Sequence, residues 1–212
     1  MIIGLTGGIA SGKSTAARYL GARGAYVIDA DKLGHRAYEP DTAAFAAVVG
    51  AFGKDVVASD GQIDRRVLGG KVFGDPAALK RLTDIVWPEI RRLAELEIAG
   101  ARRAEPDRPV VLEAAVLLEA GWQDMVDEIW VVLVAPEVAV ARATRRDGSD
   151  AESVQRRIDA QLTNAERRAG ASVVIDNSGT EAELEAQLDR EWLRVAPAAA
   201  GSAARSRRQD EA

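Results

Sequence analysis

Apolar residues along the chain fall into short runs separated by longer stretches of helical period. Runs of strand length occur at Ile2–Leu5, Tyr26–Ile28, Val110–Leu112, Ile129–Val134 and Val173–Ile175. Several lack polar alternation and are rich in Val and Ile, the pattern of strands buried on both faces. Their alternation with helical segments predicts an α/β fold with a parallel five-stranded sheet and helices on both faces. Ser149 with Glu152, and Thr180 with Glu183, have the spacing of a capping box and predict helix starts. Gly24 suits a left-handed cap after the first helix. Residues 41–104 break this rhythm. They carry no buried strand and read as several short helices, with turns at Phe52-Gly53, Asp60-Gly61 and Gly74-Asp75-Pro76. A crossover of that length is too long for a plain connection, so a helical insertion beside the sheet, placed to receive an acceptor, is expected. A second, arginine-rich excursion over about 142–157 predicts a short lid. Residues 196–212 are small and polar without apolar periodicity, which predicts a disordered tail after a domain of 1–195.

The first apolar run leads into Gly7-Gly8-Ile9-Ala10-Ser11-Gly12-Lys13-Ser14, a full G-x-x-x-x-G-K-[ST] phosphate loop, followed by the helix-compatible Thr15-Ala16-Ala17. Strand, loop and helix in that order are the context the motif requires. Backbone amides and the helix N-terminus form a polyphosphate site. Lys13 is placed to reach the β- and γ-phosphates, and the Ser14 hydroxyl to ligate Mg²⁺. A nucleoside triphosphate is the expected ligand.

Asp29 and Asp31 follow the second run and are expected at the end of a strand neighbouring the phosphate-loop strand. If the extended backbone continues that far, both carboxylates point to one side, one to take a hydroxyl proton and the other to orient metal-bound water. The competing role is helix capping by Asp31. Arg142, Arg145 and Arg146 share one helical face and can fold over a polyphosphate, or simply form a solvated basic face. Glu113 closes the third run as a Walker-B-type carboxylate would, and Glu119 follows nearby; either can hold a metal or its waters, or form a structural salt bridge. Trp87, within the insertion, is either core or a stacking platform. Asn177 lies in a turn after the last run, near the nucleotide base if the strand order is that of a P-loop kinase. His35, the one histidine, has no cysteine or second histidine with which to build a zinc site.

Composition narrows the setting. The chain has 212 residues, 47% hydrophobic and 29% charged, with a net charge of −5, which argues against nucleic acid or an anionic membrane as partner. Without cysteine there are no disulfides or thiolate metal sites. Met1 goes straight into the first strand, so no signal peptide is expected, and no apolar stretch approaches the ~20 residues of a membrane span. A cytoplasmic enzyme, monomeric or weakly self-associating, is the expectation.

Together these residues resemble the dephospho-CoA kinase family from Ile2 to about Trp192. The resemblance is carried by Leu5-Thr6-Gly7-Gly8-Ile9 and the loop, Val27-Ile28-Asp29-Ala30-Asp31, Phe52-Gly53, and Asp60-Gly61-Gln62-Ile63-Asp64-Arg65 with Leu68 and Val72-Phe73. It continues through Leu117-Leu118-Glu119, Arg142 with Arg146-Asp147, Gln161, and Ile175-Asp176-Asn177 with Gly179. The family usually has His-Pro at Trp87-Pro88, Asp-x-Pro-Leu-Leu at Glu113–Leu117, glycine at Ala10 and aspartate at Ser172. Several of these variants are similar to the kinase domain of bifunctional CoA synthase, whose adenylyltransferase domain is not expected here. The resemblance implies a P-loop kinase fold of the nucleotide and small-molecule type, with ATP and Mg²⁺ as cofactors. It implies transfer of phosphate to the 3′-hydroxyl of dephospho-CoA, with Asp31, Lys13, Arg142 and Arg146 catalytic. Asp29, Asp31, Arg65, Trp87 and Glu119 are then expected at the acceptor, and Ser14 and Glu113 at the metal. A kinase for a nucleoside monophosphate, shikimate or gluconate, or a nucleotide-dependent scaffold, are the alternatives; no Asn-Lys-x-Asp guanine motif is present.

Overall fold

In the computed structural model, which describes residues 1–72 and 74–196, each apolar run becomes a strand. The strands are β1 (Ile2–Gly7), β2 (Tyr26–Asp29), β3 (Val110–Glu113), β4 (Glu128–Leu133) and β5 (Val173–Asp176). They form one sheet in the order β2-β3-β1-β4-β5. β1 pairs in parallel with β3 and β4, so that Leu5 lies between Glu113 and Trp130, and β4 pairs in parallel with β5. β1 and β3 are buried along their whole length, which explains their missing polar alternation. One expectation is corrected: β2 does not neighbour β1, because β3 lies between them.

The helices are α1 (Lys13–Ala22), α2 (Ala30–Arg36), α3 (Ala43–Phe52), α4 (Arg65–Val72), α5 (Pro76–Ala104), α6 (Pro136–Asp147), α7 (Ala151–Asp159), α8 (Asn164–Ala169) and α9 (Glu181–Val195). Contacts divide the chain into two compact units, one of Met1–Ile28 with the chain from Ile98 onward, the other of Asp29–Glu97.

In the first unit, Ile3 and Leu5 of β1 share a core cluster with Ala16, Ala17 and Leu20 of α1 and with Leu184, Leu188 and Trp192 of α9. The α9 residues recur every fourth position, so one stripe of that helix is buried. Each fully buried leucine contributes about 1.5–3 kcal/mol. α9 opens with the predicted Thr180–Glu183 capping box. α7 does not start as predicted: Asp150, not Ser149, is its N-cap, and the Asp150 carboxylate accepts from the Ser153 amide at 2.7 Å. A charged acceptor on an orphan amide is the stronger cap. A Thr163–Glu166 capping box on α8 was missed.

In the second unit the expected turns are present, with Gly53, Gly61 and Gly74 at φ of 94°, 83° and 96°. The last segment, however, is not a short helix. α5 runs 29 residues straight through Pro88. Proline deletes one helical hydrogen bond and costs about 3 kcal/mol. Burial of Val86, Ile90 and Ala94 on one face offsets that loss. Among the described residues no helix is long and apolar enough to cross a membrane. Apart from Ala196, the expected tail lies outside the described residues.

Candidate active site

The phosphate loop spans the gap between the end of β1 at Gly7 and the start of α1 at Lys13. Two of its glycines are fixed, Gly7 by space and Gly12 by space and dihedral angle. A Cβ on Gly7 would lie 2.5 Å from both Ser11 Oγ and the Val132 carbonyl oxygen. Gly12 sits at φ 91°, and a Cβ there would collide with the Asn177 amide. Ala10 adopts φ 56°, in the left-handed region. α1 has neither a side-chain N-cap nor an acidic residue in its first turn. The positive end of its dipole thus faces no acidic side chain of its own first turn and suits an anion.

Glu113, the last residue of β3, faces this helix start. Its Oε1 accepts from Lys13 Nζ at 2.7 Å and from Ser14 Oγ at 2.6 Å. The Lys13 and Glu113 side chains are only 10% and 7% exposed, so they interact in a medium less screening than water. The three residues expected to bind phosphate and metal therefore meet at one point. Ser14 Oγ and a Glu113 carboxylate oxygen are hard donors of the kind Mg²⁺ takes. Among the described residues no cluster of three or more His, Cys, Asp or Glu could hold a metal on its own.

Asn177, immediately after β5, is buried and braces the loop. Its Nδ2 donates to the Ser11 carbonyl at 2.8 Å, and its own carbonyl accepts from Arg142 Nη1 at 2.8 Å. Arg142 and Arg146 share α6 but take different partners. Arg146 binds both oxygens of Asp147, at 2.6 and 3.0 Å, and Arg157 donates to the same carboxylate. The hydrogen bonds from Arg146 above all, with those from Arg157, hold the Asp147 carboxyl down at about 2. Arg145 is exposed. Glu119 accepts from Arg167 Nη2 at 2.9 Å.

Two residues of this unit escaped the site prediction. Gln161 accepts from the Ile9 amide of the loop at 2.9 Å, and Arg167 is 1% exposed. Both line a cavity of about 300 Å³ with Gly8, Ile9 and Ser11. Arg167 was hidden in the pair Arg167-Arg168, which reads as a solvated face; the Thr163–Glu166 box would have set its helix but not which arginine is buried.

In the second unit the paired-carboxylate geometry is corrected. Helix α2 begins at Ala30, so extended backbone does not reach Asp31. The cap is Asp29 rather than Asp31: its Oδ1 accepts from the amides of Asp31 and Lys32 at 3.0 and 3.1 Å. Asp31 stands exposed in the first turn of α2. Arg65, first in α4, has Nη1 2.8 Å from His35 Nε2. Burial pushes the Tyr38 hydroxyl pKa up, with Arg65 opposing. Trp87 is half-buried on α5.

Residues 1–183 match the family model described as Dephospho-CoA kinase. The dephospho-CoA kinase of Geobacter sulfurreducens is 48% identical over 196 residues, covering 92% of this chain and 99% of that protein. A crystal structure from Thermus thermophilus, TT1252, superposes with a TM-score of 0.77 at 36% identity, over 92% of this chain and 97% of that one. The dephospho-CoA kinase from Campylobacter jejuni, at 23% identity and a TM-score of 0.68 over 92% and 97% of the two chains, shares the fold.

Proposed function

The chain belongs to the dephospho-CoA kinase family and catalyses ATP-dependent phosphorylation of dephospho-CoA, the last step of coenzyme A synthesis; within that activity we propose the roles of its individual residues. The loop from Gly7 to Thr15 holds the ATP phosphates through its backbone, with the Ile9 amide taken by Gln161, and Lys13 neutralises their charge. Ser14 and Glu113 would hold Mg²⁺, which would offset negative charge on the transferring group. Asp31 takes the proton of the ribose 3′-hydroxyl as the new O–P bond forms and the bond to the ADP leaving group breaks. Arg142 and Arg146 spread the transferring charge, while Asn177 keeps the loop in shape. Asp29, Arg65, Trp87 and Glu119 serve the acceptor; Asp29 does so through its cap on α2, which fixes the backbone that carries Asp31.

The observation that carries this reading is the meeting of Lys13, Ser14 and Glu113 at the uncapped start of α1. Asp31→Asn tests the assignment of the base. It should lower kcat by at least ~10²-fold with little change in ATP affinity, as loss of a general base does. A variant with near-normal kcat would rule Asp31 out as the base.

A further inference from the structure

Arg167 is 1% exposed, and a guanidinium cannot shed its charge to make burial cheaper. What it holds must account for its position. Nη2 donates to Glu119 Oε1 at 2.9 Å, and Nε donates to the Leu162 carbonyl at 3.3 Å. Arg167 Nη1 and Glu119 Oε2 are buried without a hydrogen-bond partner. The Glu119 side chain is 23% exposed, and an ion pair with one buried member left half satisfied is a poor source of stability; apolar residues of similar volume would serve the core as well.

Its geometric effect is more specific. The turn from Gln161 to Asn164 joins α7 to α8 and is fixed at several points. Arg167 holds Leu162, the capping box holds Thr163, and Asn164 Nδ2 donates to the Val134 carbonyl at 2.9 Å. From this turn Gln161 Oε1 accepts the Ile9 amide of the phosphate loop at 2.9 Å. A Cβ built on Gly8 would lie 3.4 Å from Gln161 Oε1 and 3.8 Å from Arg167 Nε, so the loop backbone runs closely past both side chains. The next residue after Ile9 is Ala10, at φ 56°. A strained backbone persists only where its surroundings over-determine it.

We propose that Arg167 is a positioning residue for ATP: it pins the Gln161–Asn164 turn so that Gln161 fixes the Ile9 peptide, and with it the Gly8–Ala10 half of the phosphate loop. This rests on the reading of the loop as the ATP site. Loss of the bracket lets the Ile9 peptide rotate and spoils the alignment of the amides that meet phosphate.

The test measures ATP binding directly by calorimetry on the full chain without acceptor, so that Glu119 can be altered without confusing the readout, alongside thermal unfolding. Arg167→Met alone should lower Tm and weaken ATP binding roughly 10-fold, the scale of one lost hydrogen bond. Arg167→Met combined with Glu119→Leu removes both charges of the pair; Tm should recover while ATP affinity stays low. Gln161→Ala should reproduce the affinity loss at near wild-type Tm. Recovery of both Tm and affinity in the double variant, or wild-type affinity in Gln161→Ala, would overturn the proposal. If the double variant fails to regain Tm, Gln161→Ala decides alone. Failure of the wild type to bind ATP would overturn both the bracket and the loop reading. Wild-type ATP binding without turnover of dephospho-CoA would count against the acceptor alone.

Discussion

At Ala10 a single methyl group stands where the loop backbone is left-handed. For an L residue this conformation costs about 1–2 kcal/mol, and glycine avoids it. Ala10→Gly relieves the strain but adds about 0.4–1 kcal/mol of chain entropy to the unfolded state. The variant should therefore be more stable by up to ~1 kcal/mol in urea unfolding, with ATP affinity preserved. Destabilisation would show that the Ala10 methyl makes a packing contact worth more than its strain. The sequence made this position visible as a departure from a glycine-rich pattern, but not its dihedral angle. Asp29 and Asp31 show the opposite limit. Both types favour caps, and the choice between them depended on where β2 turned into α2, one residue earlier than extended geometry requires. Lys13, Ser14 and Glu113 were legible because loop spacing and strand ends fix them. Arg167 was not, since nothing local distinguishes a buried arginine from its exposed neighbour Arg168.

Among the elements, helix and strand cores followed apolar periodicity, whereas their ends followed side-chain hydrogen bonds. That is why α7 starts one residue later than the Ser149 box predicted, on the stronger Asp150 cap. α5 exceeded expectation because a long apolar stripe outweighed one proline. The join of β4 to α9 gives an element-level prediction. Arg194 Nη1 and Nη2 each donate to a Glu128 oxygen at 2.6 Å, and Trp130 Nε1 donates to the same carboxylate at 2.9 Å. These hydrogen bonds, chiefly those from Arg194, hold the Glu128 carboxyl below its ordinary value of 4.5 against the effect of burial. A depressed carboxylate contributes stability that is full above the unfolded value and is lost as pH falls through the native one. Arg194 is 46% exposed, so its pair with Glu128 is worth no more than about 1 kcal/mol. Arg194→Met should lower Tm by a few degrees at pH 7, and the gap to wild type should close as pH falls below 4.5. A gap independent of pH would mean that Arg194 acts through packing alone.

For the whole molecule, the strands and their alternation with helices were legible, but their spatial order was not. Sequence order makes β2 the natural neighbour of β1; the sheet instead inserts β3 between them, after the long excursion that ends in α5. Parallel strands need only a crossover of sufficient length, and length alone does not say which edge the chain returns to. The order matters for chemistry, because it brings Glu113 at the end of β3 onto the loop that follows β1, and Asn177 after β5 onto the same loop. The candidate site groups thus gather at the carboxyl ends of parallel strands, where ligands of open α/β sheets bind. The central claim is a kinase whose acceptor is dephospho-CoA, and ADP release from ATP across a panel of acceptors tests it most directly. Dephospho-CoA should support turnover and gain one phosphate at its 3′-hydroxyl, while shikimate, gluconate and nucleoside monophosphates should not. Turnover with one of those acceptors and none with dephospho-CoA would contradict the account.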